Sequence, residues 1–285
     1  MTHPIVPGRY HSRALPSVSQ TRPSLGPMPT QIHLGRYLSA FAMIALGAIG
    51  LLSANFLMEW TPAPAQLPAR AAWACLHGAV LILAGLGLFF HKTVRLAALT
   101  LGSVWLVWML LHIPQFLASW RGGLGGVFET LAMSSGLFLL AAVSAPQTAS
   151  RLQILIPRYA FAFSLPMLGT VHFLYPAAVA AFIPAWIPAR LFFAYFTGVA
   201  LCAAGLAILF AILSRLAALL FALMLTSWVL ILHIPRVLHT PADRHEWITL
   251  LIAIALTANA WTLSGSLAHA NKPDRPAPVG RGTNQ

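Results

Sequence analysis

Eight long apolar stretches, separated by short polar or proline-rich segments, make up most of the chain. Each has about the 18 to 22 residues that an α-helix needs to cross the hydrocarbon core of a bilayer. They occupy residues 37–58, 71–91, 94–114, 125–145, 159–176, 190–212, 215–235 and 247–264. No period-two alternation competes with them. The pattern predicts an all-α, polytopic membrane protein with about eight transmembrane helices.

The second half of the chain repeats the first at a distance of about 120 residues. The matched strings are Arg-Tyr at 36 and 158, Pro-Ala-Arg at 68 and 188, Arg-Leu-Ala-Ala-Leu at 95 and 215, and Leu-His-Ile-Pro at 111 and 232. Because each unit has an even number of spans, both units should enter the membrane in the same sense. We therefore predict two parallel four-helix repeats at 37–146 and 158–265, with disordered tails at 1–36 and 270–285.

Charged residues orient these spans. Of the 17 Lys and Arg residues, 12 fall on the side of the two termini, whereas four of the five acids fall on the opposite side. Those four acids are Glu59, Glu129, Asp243 and Glu246. Cytoplasmic loops hold the excess of basic residues, so we predict that both termini are cytoplasmic, in a bacterial inner membrane.

Composition agrees with a membrane protein and excludes several other classes. The chain is 59% hydrophobic and 8% charged, which is too apolar for a water-soluble domain of 285 residues. Its net charge of +12 comes from single basic residues between apolar spans, so no nucleic-acid patch is predicted. Cys75 and Cys202 stand alone in apolar runs, which argues against a disulfide framework or a dithiol redox site.

One segment of the second half resembles a known family. It reads His172-Phe173, then Ile-Pro-Ala-Trp-Ile-Pro at 183–188, then Gly198, Gly205 and Arg-Leu-Ala-Ala at 215. These strings resemble the DoxX-like membrane proteins, whose four-helix unit carries a His-Phe near the end of its first span and an Arg-led third span. The resemblance covers residues 158–264 well and 36–145 loosely. It departs from the family because the unit is doubled and Gly50 occupies the position of His172 in the first half.

The resemblance implies a redox setting. Some DoxX-like proteins are subunits of quinone-reducing or other membrane oxidoreductase assemblies, so a partner redox subunit and a quinone ligand are expected. Polar groups at membrane depth are costly and mark functional sites. A His beside carboxylates and aromatic rings suits a quinone head group. The candidate ligand-binding residues are His172, His233, His112, Trp108 and Arg190, and the candidate proton-relay residues are Glu129, Asp243 and Glu246.

Each candidate also has a structural interpretation. The two Leu-His-Ile-Pro strings place a His in the last turn before a proline, where it can cap a helix C-terminus. Glu129 and Glu246 fall near predicted helix N-termini, where the dipole stabilises a carboxylate. Arg190 can snorkel to the interface, and Trp108 can pack in the core. Both interpretations stay open at this level.

Three functions are compatible with these patterns. The first is a quinone-linked, redox-associated subunit; the alternatives are a small-solute transporter and a non-catalytic assembly or structural protein of the membrane. No recognised ligand spacing predicts a metal site. The chain has no dinucleotide fingerprint, phosphate-binding loop or haem-attachment motif, so the sequence leaves open whether it is catalytic.

Overall fold

The computed structural model describes residues 28–145 and 148–269, and within them all regular secondary structure is helical. The helices are α1 Thr30–Ser53, α2 Arg70–Gly87, α3 Val94–Ala118, α4 Trp120–Val143, α5 Arg151–Leu174, α6 Pro176–Phe182, α7 Arg190–Leu209, α8 Ser214–Trp228, α9 Ile234–His239 and α10 Arg244–His269. A π-helical segment, Val229–His233, joins α8 to α9. A 3₁₀ turn, Met58–Trp60, lies between α1 and α2.

Eight helical spans in the described ranges are long and apolar enough to cross a membrane. They are α1, α2, α3, α4, α5, α7, α10 and the continuous α8–π–α9 span from Ser214 to His239. The predicted class, an all-α multi-pass membrane protein, is confirmed. Residues 1–27 of the tail predicted at 1–36, and the whole tail predicted at 270–285, lie outside the described residues.

The eight spans form one closed ring of contacts that is bridged across its middle by two of its members. Each span contacts the next along the chain, from α1 to α5 and then α7, α8 and α10, and α10 returns to contact α1. The two most buried spans, α4 and α10, also contact each other in the middle. Each helix of the first half thus has the same neighbours as its counterpart in the second half. The first helix of each half packs on the last helix of the other half. Tandem duplication of the four-helix unit stays a prediction.

A polar contact joins the two central helices. The Asn259 side-chain amide on α10 donates hydrogen bonds to the backbone carbonyls of Ala132 at 3.4 Å and Met133 at 3.1 Å on α4. Gly136 makes room for this side chain, because a Cβ at Gly136 would overlap Asn259. Interhelical hydrogen bonds and small residues are the usual means of association between helices in lipid, so this contact fixes the two halves together.

Paired glycines set the α1–α2 and α5–α7 contacts. A Cβ on Gly78 would lie 2.7 Å from the carbonyl oxygen of Gly47, and a Cβ on Gly169 would lie 2.7 Å from that of Gly198. The two backbones therefore touch at equivalent places in both halves. A Cβ on Gly198 would also lie 2.8 Å from the Cβ of His172. This contact holds His172 against α7.

Replacing Gly47 by Ala is expected to destabilise the fold by about 1–3 kcal/mol, because the new methyl group meets a backbone carbonyl that cannot rotate away. The matched control is Gly125→Ala in α4, where no atom lies within 4 Å of the added Cβ. Thermal unfolding of both detergent-purified variants measures the effect. Equal melting temperatures for the two variants would contradict the close α1–α2 contact.

Several helix ends differ from the prediction. Residues 30–36, predicted as tail, belong to α1, and this helix ends at Ser53 because Ala54 takes a left-handed conformation. Helix α5 begins at Arg151, earlier than expected, because Ser150 and Gln153 form a capping box across its first turn. The Ser-x-x-Gln capping pattern is present in the sequence at 150–153, but Pro157 led to a predicted start after that proline.

The histidines before proline do not end their helices. Pro114 lies inside α3, which continues to Ala118, and Pro235 lies within the first turn of α9. A proline is tolerated within a membrane span where neighbouring groups satisfy the released carbonyl. The C-terminal capping interpretation of His112 and His233 was therefore wrong.

The Glu129 position also differs. Helix α4 starts at Trp120, with the Ser119 hydroxyl accepting a hydrogen bond from the Gly122 amide at 3.4 Å. The Arg-Gly-Gly sequence at 121–123 is thus helical, and Glu129 lies more than two turns inside the span. The helix dipole acts within the first turn, so the N-terminal interpretation of Glu129 was wrong.

The ends of the eight spans form two faces, which we call the terminal face and the opposite face. The terminal face carries the start of α1, the α2–α3 and α7–α8 turns, the α4–α5 connection and the end of α10. The opposite face carries the segments between α1 and α2, α3 and α4, α5 and α7, and α9 and α10.

Candidate functional site

A cavity of about 530 Å³ lies near the opposite face of the second half, between α5, α7 and the α8–π span. We call it the histidine cavity. Its polar lining residues are His172, Thr197, Ser227 and His233, and its aromatic lining residues are Phe182, Trp186, Phe193, Phe196 and Trp228. Its volume and its apolar wall with a few polar groups are typical of a small-molecule site. Trp186 and Phe196 are 73% and 54% exposed, so the cavity opens sideways, toward lipid.

His172 forms the inner wall of this cavity. Its Nδ1 lies 3.1 Å from the Leu168 carbonyl oxygen, one turn earlier in α5. A nitrogen facing a carbonyl carries the proton, which leaves Nε2 as the acceptor in the neutral ring. The ring also stacks on Trp228, with centroids 6.2 Å apart and planes 28° apart. The Gly198 contact, the carbonyl and the indole together fix this imidazole.

His233 lies at the end of the π-helical segment, on another wall of the cavity. The two halves differ by one residue here. Three residues separate Trp108 from His112, whereas four separate Trp228 from His233. A π turn accommodates one extra residue within an α-helix, and such turns are frequent at functional sites. The insertion thus explains the π segment.

The insertion gives the two histidines different surroundings. His112 is 2% exposed, and both ring nitrogens have partners: Nδ1 lies 2.9 Å from the Trp108 carbonyl oxygen and Nε2 lies 3.0 Å from the Glu59 carbonyl oxygen. His112 therefore ties α3 to the α1–α2 segment. In contrast, His233 Nδ1 is buried and has no hydrogen-bond partner among the described residues. Leaving a buried polar atom without a partner costs free energy, so the two histidines differ in how firmly they are held.

A second, smaller cavity of about 240 Å³ lies behind His172. We call it the glutamate cavity, because Glu129 is the only acid in its lining, which is otherwise mainly apolar. His172 and Trp228 line both cavities. His172 therefore lies between the histidine cavity and the cavity that contains Glu129.

Glu129 adjoins polar groups that reach the opposite face. The 3₁₀ turn that carries Glu59 and Trp60 contacts α4, the helix that carries Glu129. Glu59 Oε1 lies 2.8 Å from His245 Nε2, and the Glu59 side chain is 55% exposed. The His245 ring also packs near Trp60, with centroids 6.0 Å apart. Glu59 and His245 thus lie together at the opposite face, on segments that contact α4.

The remaining predicted acids have other partners. Glu246 pairs with Arg236 through two hydrogen bonds, one from Nε to Oε2 at 2.8 Å and one from Nη2 to Oε1. Asp243 is exposed, and its Oδ1 accepts a hydrogen bond from the His245 amide at 2.8 Å, at the start of α10. This is the geometry of an N-cap. Neither acid lines either cavity.

Trp108 and Arg190 also lie apart from the histidine cavity. The Trp108 indole donates a hydrogen bond to His77 Nε2 at 3.1 Å and packs edge-on against Phe56. Arg190 is exposed at the first residue of α7. Of the five predicted ligand-binding residues, the structure brings His172 and His233 together and leaves His112, Trp108 and Arg190 elsewhere.

Sequence reasoning missed Trp228 and Glu59 as site residues. Trp228 could have been found by comparing the two halves. It lies 120 residues after its counterpart Trp108, whereas His233 lies 121 residues after His112. That change of offset locates the inserted residue, and hence the π segment. Glu59 carried no local signal, since its proximity to Glu129 depends on how the α1–α2 segment folds over α4.

No protein-family model matches the chain, and no curated protein or solved structure matches it significantly. Within the described residues, no three His, Cys, Asp or Glu side chains lie close enough to hold a metal ion. The site is therefore interpreted from its own geometry.

Proposed function

We propose that this chain is a DoxX-like, quinone-binding subunit of a membrane redox assembly, with the quinone head group in the histidine cavity. The observation that carries the proposal is the position of His172, which has one side toward a lipid-accessible aromatic chamber and the other toward the chamber of Glu129.

The cavity suits a flat, apolar ring with two oxygen atoms. Five aromatic side chains supply the stacking surfaces. The two imidazoles line the same chamber, so each is available to one quinone oxygen. The ligand must also enter from the bilayer, and Phe196 links this cavity to an apolar groove of about 510 Å³ between α7 and α8. The exposed Trp186 and Phe196 leave the mouth of the cavity open, so that the hydrocarbon tail would extend into the bilayer.

The two histidines would have distinct roles. His172, with Nδ1 held by the Leu168 carbonyl, presents Nε2 as a base for a quinol hydroxyl. The His233 ring, which lines the same chamber, would face the second oxygen.

Oxidation of a quinol releases two electrons and two protons. The electrons would pass to a redox centre on a partner subunit, because this chain has no motif for a redox cofactor of its own. His172 would take one proton and pass it by way of Glu129 toward the opposite face, where Glu59 and His245 lie, and His233 would take the other proton and release it at the same face. Reduction of a quinone runs the same steps in reverse.

Organic extraction of the detergent-purified protein tests the proposal. We expect near-stoichiometric quinone in the wild type, and a loss of affinity of about 10- to 100-fold in His172→Ala and His233→Ala, the effect of losing one buried hydrogen bond. Affinity for an added short-chain quinone gives the same comparison.

The matched control is His112→Ala, the counterpart of His233 in the first half. It should lower the melting temperature, because His112 ties α3 to Glu59, yet leave quinone binding unchanged. Folded wild-type protein that contains no quinone and binds none would refute the proposal. Equal binding by all four proteins would also do so.

A further inference from the structure

We infer that an anionic phospholipid from the leaflet at the terminal face binds between Arg158 and Arg215, with its phosphate on the two guanidinium groups. The observation is a cavity of about 540 Å³ on that face, lined by these two arginines, Ser214 and apolar side chains, with no acidic residue in its lining. This site is separate from the histidine cavity and does not depend on the proposed function.

The Arg158 side chain lacks the partners that its counterpart has. In the first half, Arg36 is buried, donates a hydrogen bond from Nε to the Leu88 carbonyl and has His91 Nδ1 at 3.5 Å from Nη1. Arg158 Nε is also buried but has no hydrogen-bond partner within the described residues. Because the lining of the cavity contains no carboxylate, an external anion can supply the counter-charge of the Arg158 guanidinium.

The backbone of the α7–α8 turn explains the difference. Ile208 matches Leu88 at the offset of 120 residues, but its carbonyl already accepts the amide of Ala211 at 3.3 Å. The Ile212 amide bonds to the Ala207 carbonyl at 2.8 Å, so the helix closes in a Schellman motif. The turn therefore satisfies its own carbonyls and offers Arg158 none.

The same turn places the arginines at the depth of lipid phosphates. Its residues 210–213 read Phe-Ala-Ile-Leu, and Phe210 and Leu213 are 70% and 71% exposed. Such side chains at the end of a membrane span insert into the acyl-chain boundary. The corresponding turn of the first half carries His91 and Lys92 instead. Lipid thus directly adjoins Arg158 and Arg215.

An apolar groove adjoins the head-group cavity and can hold an acyl chain. Leu213 and Leu216 line both this cavity and the apolar groove between α7 and α8. Alanines on α7, including Ala203 and Ala207, form the floor of that groove. Arginine binds phosphate through paired charge-assisted hydrogen bonds, and basic pockets between spans on the cytoplasmic side bind anionic head groups. The combination favours a lipid over a soluble phosphate.

Lipid binding to the delipidated full-length chain tests this inference. We expect phosphatidylglycerol to bind at least about tenfold more tightly than phosphatidylcholine, and Arg215→Gln to remove most of that preference. Arg215 is exposed, so this variant should fold. The double variant Arg158→Gln/Arg215→Gln should remove the preference entirely.

The matched control is Arg95→Gln, which removes the counterpart of Arg215, a residue already bonded to the Thr148 hydroxyl at 2.7 Å. It should keep the preference. Unchanged selectivity in Arg215→Gln, or an equal loss in Arg95→Gln, would overturn the inference. Glycerol phosphate, which lacks acyl chains, should bind far more weakly; if it binds as tightly as the lipid, the site takes a soluble anion instead.

Discussion

Deleting Leu230 from the π-helical segment is expected to weaken quinone binding by about 100-fold while leaving the eight-span fold intact. The deletion restores the spacing of the first half, with three residues between Trp228 and His233. The segment should then become α-helical, and His233 Nδ1 should bond to the Trp228 carbonyl as His112 does to that of Trp108. The ligand would lose both a polar partner and the widened turn that lines its cavity.

This deletion should not lower stability, because it removes an irregular turn and pairs a buried polar atom. The matched control is deletion of Leu238, an exposed residue of the same span that follows His233 and leaves the π segment unchanged. Quinone affinity and melting temperature are measured on both proteins. Normal quinone affinity after loss of Leu230 would show that the π segment has no part in binding.

Replacing Arg236 by Met is expected to destabilise the protein by about 3 kcal/mol. Arg236 forms two hydrogen bonds with Glu246, and its guanidinium carbon lies 4.4 Å from the centre of the Phe182 ring. It thereby connects α9 to α10 and to α6, beside the histidine cavity. Its loss leaves the largely buried Glu246 carboxylate without a counter-charge.

A double variant tests the contribution of the Arg236–Glu246 charge pair separately from that of side-chain packing. Arg236→Met with Glu246→Leu removes both partners, so it should be more stable than Arg236→Met alone. Arg121→Ala serves as the control, because Arg121 is exposed and stacks only on Trp120; it should change stability by less than about 0.5 kcal/mol. Equal destabilisation by the single and double variants would show that the ion pair adds nothing.

Part of the site was predictable from local sequence. His172 was singled out because the first half has Gly50 at that position, and the structure places it between the two cavities. Glu129 was a candidate because acids at membrane depth are costly. Its neighbours were not predictable, since they come from α5, α8, α10 and the α1–α2 segment.

Equivalent strings did not produce equivalent sites. The two Leu-His-Ile-Pro strings predict the same role for His112 and His233, yet both nitrogens of His112 face carbonyl oxygens and Nδ1 of His233 has no partner in the described part of the chain. One inserted residue changed the turn before His233. Likewise Arg36 and Arg158 share the Arg-Tyr string, and only the geometry of the following helical turn decides which guanidinium finds a carbonyl.

The sequence by itself determined the class of protein, the number of spans and the presence of polar groups at one level of the membrane. It did so because the length of an apolar helix is set by the thickness of the bilayer, a constraint that acts locally along the chain. Only the tertiary structure decided which helices meet, with α1 on α10 and α5 on α4, and which polar atoms remain unpaired. Hydrogen bonding and cavity formation depend on side chains distant in sequence, so no local pattern encodes them.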